Sequence, residues 1–176
     1  MKKLGKAASW LGGVSGAGLP ALSYFTDYAP PLFAGVTTII TALAAAILLI
    51  AAARKRKGGS ITIAAVCLGI VIPLLIAYSL LLAFTTVVGP GEHGSRYQIG
   101  FGLAQFSLTD AAKADLKDNP TLQPKDLMMD EAAFDQDRVA ILWKTWSIYV
   151  AAAILIGLYF AGFLFWTVGF ALLAKR

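Results

Sequence analysis

The sequence predicts an all-α integral membrane protein: a four-helix transmembrane bundle with both termini cytoplasmic and a small outer segment between spans three and four. Three observations carry that expectation. The 176-residue chain is 58% hydrophobic with a mean hydropathy of +0.71, and only 14% of it is charged, against roughly 25% in a soluble domain. Its charges stand in short clusters, separated by uncharged stretches long enough to cross a hydrocarbon core, which takes about 20 helical residues. Drawn with four crossings, all the terminal and turn lysines and arginines fall on one side.

The first span, about 7–28, is the least apolar because Gly12, Gly13, Gly16, Gly18 and Pro20 interrupt it. Density alone leaves it spanning, re-entrant or interfacial; the charge pattern selects spanning. The second span, about 31–53, follows a turn at Ala29, Pro30 and Pro31, where the prolines stop one helix and start the next. The third runs over about 60–88. Residues 1–88 thus hold three spans, 89–138 form the extracytoplasmic segment, and 139–176 carry span four, from near Thr145, with a short cytoplasmic tail.

This map puts Lys2, Lys3, Lys6, Arg54, Lys55, Arg56, Lys57, Lys175 and Arg176 inside and every carboxylate outside. That is the asymmetry of a bacterial-type cytoplasmic membrane protein. Trp143, Trp146 and Tyr149 open span four and Trp166 lies near its far end. At ~1.5 Å per residue the separation from Trp143 is about 35 Å, which suits two interfacial aromatic belts.

The outer segment carries nine acidic and five basic side chains and is expected to be too small and polar for a large core of its own. Tyr97, Ile99, Phe101 and Leu103 alternate with Gln98, Gly100, Gly102 and Ala104. That period of two predicts a short strand or hairpin, or an apolar edge resting on the membrane. Ser107 is placed to cap a helix ending at Asn119-Pro120, and Pro124 to start another. A continuous run from Pro124 into span four would form a stalk.

Several chemistries are excluded by what is absent. Cys67 and His93 are the only residues of their kinds, so disulfide exchange, a zinc centre and other cofactors are not expected. No Asp, Glu, Lys, Arg or His lies at membrane depth within a span, Asp27 standing at the outer boundary of the first, which argues against a proton relay. Glu92, His93, Ser95 and Arg96 offer a base, a nucleophile and an anion binder, but nothing orients the base, so no enzyme is expected. Four spans with the larger loop before the last resemble the quinone-linked thiol oxidases and the tetraspanins. Both need cysteines in that loop, and residues 89–138 contain none.

The most informative intramembrane pattern is small residues four apart: Gly12 and Gly16; Ala34, Thr38, Ala42 and Ala46; Ala65 and Gly69; Ala153, Gly157 and Ala161. Small side chains let helices approach in lipid, so these faces serve either packing within one bundle or self-association. Pro73 lacks an amide hydrogen for the Gly69 carbonyl and is read as a kink. Thr37, Thr38 and Thr41 either line a polar path or bond back to the preceding turn. Arg54, Lys55, Arg56 and Lys57 suit anionic lipid headgroups at about 1 kcal/mol per basic residue, and are too few to bind nucleic acid. On one helix Asp126, Asp130 and Asp137 would share a face, either solvated or an outer docking surface. The expected function is non-enzymatic: a homo-oligomeric small channel, membrane effector or membrane-state sensor. The alternative is an accessory subunit of a larger membrane complex.

Overall fold

The computed structural model describes residues 30–31, 34–54, 61–90 and 95–174. Among these, helix α1 (Ala34–Arg54) and helix α2 (Ile61–Thr85) precede a hairpin of β1 (Thr86–Val88) and β2 (Arg96–Gln98). There follow α3 (Asp110–Asp118), the single turn α4 (Pro124–Leu127), a π turn (Met128–Ala132), a 3-10 turn (Gln136–Ile141) and the long α5 (Thr145–Ala174). Helix α5 begins and ends where the uncharged stretch does. Helix α2 stops short of Val88 because its last residues, Thr86 to Val88, are β-branched and pair as a strand instead.

Among the described residues, two helices are long and apolar enough to cross a membrane, over Thr62–Thr85 and Thr145–Leu173. Only 22% and 39% of their most apolar windows are buried, whereas the core helix of a soluble domain is mostly buried. Helix α1 adds a shorter apolar stretch, Val36–Ala45, with Val36, Ile39, Ile40 and Leu43 exposed.

The chain divides into two compact units, with the boundary falling inside α2 and α5. In the helical unit, which includes Phe33–Tyr78 and Ile156–Arg176, α2 and α5 pack antiparallel. The Tyr78 and Tyr159 rings lie 5.8 Å apart, Leu75 faces Gly162, and Leu68 faces Gly169. A Cβ on Gly169 would stand 2.7 Å from Leu68 Cγ, so this glycine marks the closest approach of the pair. Helix α2 continues without a break through Pro73, which is exposed.

The inter-helix unit, mainly Ser79–Leu155, is built on the antiparallel hairpin, with Thr86 opposite Gln98, Val87 opposite Tyr97 and Val88 opposite Arg96. It contains a core that the polar composition of residues 89–138 did not lead one to expect. Val87, Ile99, Leu108, Ala112, Leu127, Met128, Ala132, Val139, Leu142, Trp143 and Ile148 are all buried together. The core exists because the segment borrows Val87 from behind α2, and Leu142, Trp143 and Ile148 from the approach to α5 and its first turn. The sequence had assigned that stretch to span four.

Helix α3 starts two residues later than Ser107 would have set it. Thr109 is its N-cap, its Oγ1 accepting from the Ala112 amide at 3.4 Å, because the Ser107 hydroxyl is engaged elsewhere. The stalk does not form. Gln123 and Asp126 make a capping box around Pro124, but the helix widens into the π turn and then reverses at Ala133 and Phe134, with φ of 47° and 52°. Left-handed backbone costs a residue with a Cβ about 1–3 kcal/mol. Phe134 is held there by packing on Tyr97, ring centroids 5.8 Å apart, whereas Ala133 is exposed. Ala133→Gly is therefore expected to stabilise the inter-helix unit by about 1 kcal/mol, read as a raised melting temperature of the detergent-solubilised protein.

Candidate functional site

The small-residue stripes lie apart from the α2–α5 contact. Ala65 and Gly69 are exposed on α2, Ala153 and Gly157 on α5, and a Cβ built at Gly69 or Gly157 meets none of the described residues within 4 Å. Internal packing uses other sides of these helices, among them Ala64, Val71, Tyr78, Leu155, Tyr159, Gly162 and Gly169, all buried. Ala42 and Ala161 are half-buried; the side chains of Ala34 and Ala46 lie outside the described residues, as do Gly12 and Gly16. On α1, the Thr41 hydroxyl donates back to the Thr37 carbonyl at 2.7 Å, while the buried Thr38 hydroxyl has no hydrogen-bond partner among the described residues.

The most ordered polar arrangement among the described residues stands where the chain leads into α5. Segments 107–109 and 142–144 run antiparallel: Lys144 N donates to Ser107 O at 2.8 Å, Thr109 N to Leu142 O at 2.9 Å, and Thr109 Oγ1 to Ile141 O at 2.7 Å. Ser107 Oγ accepts from the Phe101 amide at 2.8 Å and donates to Ser147 Oγ at 3.0 Å, which in turn donates to Lys144 O at 2.8 Å. Trp143, fully buried, donates its indole hydrogen to Gly102 O at 2.7 Å. Gly100 is enclosed by these groups, and Gly102, with φ of 54°, makes the turn that brings its carbonyl to the indole.

A second polar node joins the hairpin to the 3-10 turn. Gln136 Oε1 accepts from Gln98 N at 2.7 Å and Gln136 Nε2 donates to Gln98 O at 2.9 Å. The Gln98 side chain is itself buried and donates to Thr85 O and Ile99 O, each at 2.9 Å. These serines and glutamines spend their donors on backbone carbonyls and on each other, and the arrangement fixes backbone.

The remaining expected positions scatter. Glu92, His93, Lys55, Arg56 and Lys57 lie outside the described residues, as do the side chains of Arg54, Asp130 and Glu131. Asp126 accepts from the Gln123 amide at 2.9 Å, serving the start of α4, and Asp137 is exposed in the 3-10 turn. The reversal at Ala133 and Phe134 puts these two in different elements, so the shared helix face drawn from their spacing does not form. Asp110 pairs with Lys113 at 3.0 Å; that hydrogen bond and charge hold its carboxyl below the usual value of 3.8. The pair adds stability above that pH and loses it as pH falls through the lowered value. Its full exposure keeps the effect small. Among the described residues no three metal-ligating side chains come together, and Cys67 is buried and unpaired with another cysteine.

Trp143 is the main departure from the sequence reading, since it was expected at the lipid interface and is instead the largest fully buried side chain of the core. The signal for it was Gly100, whose missing Cβ leaves room for the indole, with Gly102 two residues on supplying the carbonyl that accepts its hydrogen. Trp146 and Tyr149 remain exposed on α5, as an interfacial belt requires. No family model, curated protein or solved structure matches the chain.

Proposed function

We propose that the chain is a non-enzymatic polytopic membrane protein that assembles with copies of itself and acts as a small channel, membrane effector or membrane-state sensor. In this reading it crosses a bacterial-type inner membrane four times with both termini inside. The basic turn Arg54–Lys57 meets lipid headgroups, and Asp126, Asp130 and Asp137 serve contacts on the outer side. One observation carries the reading: the small-residue faces at Ala65 and Gly69, and at Ala153 and Gly157, are exposed, and none of the described residues closes on the two glycines. Faces suited to close helix approach in lipid, and left open by the described residues, can receive a second chain.

The test is the mass of the complex extracted gently from its native membrane. Self-assembly predicts an integral multiple of 18.6 kDa with no second protein. Gly69→Leu and Gly157→Leu should shift that population toward the single chain without lowering the melting temperature, because a Cβ at either position meets none of the described residues within 4 Å. A stoichiometric larger partner would instead make the chain an accessory subunit, and the small-residue faces its docking surface.

A further inference from the structure

We infer that the inter-helix unit carries its own lipid contact, an aromatic anchor formed by Phe106 on Trp146 that seats the loop of residues 101–106 in the membrane interface beside the start of α5. The inference rests on the reading of α5 as a membrane span. Phe106 is 56% exposed although it belongs to a loop with a well-packed core beneath it, and Trp146 is 51% exposed. Their rings stack at 6.3 Å with an interplanar angle of 26°, and the Phe101 ring lies 5.7 Å from that of Phe106, tilted by 45°. A soluble loop gains little by ordering three aromatic rings in water; at the headgroup level such rings are at their most favourable depth.

The occupant follows from continuity. Trp146 sits in the first turn of α5, and the exposed side of that helix runs on through Tyr149, Val150 and Ile154. Phe106 therefore widens an apolar strip that belongs to the spanning segment itself, so what covers that strip covers Phe106 as well. Lys144 stands two residues before Trp146 and is half-buried, and a lysine at the headgroup level suits an anionic phosphate.

The experiment uses the full-length chain in vesicles of phosphatidylcholine and phosphatidylglycerol. In a Cys67→Ala background, nitroxide is attached at Phe106→Cys and, separately, at its exposed neighbour Gln105→Cys, which spares the aromatic stack. Lys117→Cys on α3 reports a water-facing site; Ile76→Cys on α2 and Ile154→Cys on α5, exposed positions within the apolar helices, report depth. The ratio of collision with oxygen to collision with a water-soluble nickel chelate is expected to be several-fold higher at 105 and 106 than at 117, and highest at 76 and 154. A ratio at 105 and 106 equal to that at 117, with 76 and 154 protected, overturns the anchor and leaves the spans intact. Chelate access at 76 and 154 overturns both.

Discussion

Gly100→Val should melt the inter-helix unit while leaving the long helices formed. A Cβ at this position falls 2.2 Å from Ser107 Oγ, 2.5 Å from Ser147 Oγ and 2.9 Å from Trp143 Cδ1. None of these is the far end of a flexible side chain. The two hydroxyls are fixed by bonds to the backbone, and the indole by Gly102 O. Overpacking costs about 1–3 kcal/mol, and each buried polar group left unpaired about 1–3 kcal/mol more, so the expected loss is about 3–5 kcal/mol. Near-ultraviolet circular dichroism should collapse while far-ultraviolet helix content stays nearly constant. Gly69→Val, with open space around it, is the matched control and should leave both signals in place. Loss of near-ultraviolet signal in both variants, or in neither, would remove the argument from close packing at Gly100.

Trp143→Ala should have an effect of similar size for a different reason, the cavity left in the core of the inter-helix unit. Truncation of a buried tryptophan costs about 3–5 kcal/mol. Trp143→Phe separates the two contributions. It keeps most of the apolar volume but leaves Gly102 O without its donor, so about 1–3 kcal/mol should be lost. Thermal unfolding of the solubilised protein, followed through protease resistance of residues 101–141, reads both. Equal melting temperatures for the two variants would show that the hydrogen bond, and not the packed volume, is what Trp143 contributes.

The legible parts of this protein are those set by hydrophobic length. Helix α5 matches the uncharged stretch at both ends, and α2 differs only where three β-branched residues leave the helix for a strand. What the sequence concealed is long-range pairing. The period-two pattern at Tyr97 to Leu103 announced a strand, but its partner β1 was hidden in the tail of an apolar run; Tyr97, Ile99 and Leu103 of the apolar phase do pack into the core, and Gln98 of the polar phase is buried beside them. Composition also misjudged the core, because residues 89–138 are polar while the atoms that complete the core come from Val87 and from Leu142, Trp143 and Ile148. Reading acids four or seven apart as one face assumed that a helix begun at Pro124 would continue. The two left-handed residues at 133 and 134 are not glycines, so nothing local announced the reversal. Spacing located the small-residue stripes but not their direction; Gly162 and Gly169, outside the stripes, make the internal contact.

The Gln98–Gln136 pair also bears on how this chain avoids unwanted association. A two-stranded hairpin leaves backbone donors and acceptors along its outer rim, and such a rim is a template on which another chain can add a strand. At Gln98 both outward-facing groups are already taken by one side-chain amide, which presents a carbonyl and an N–H in the same spacing as a neighbouring peptide. Gln136 thus stands in for a third strand one residue long. It closes the template at the last residue of β2 with a residue that cannot itself be extended.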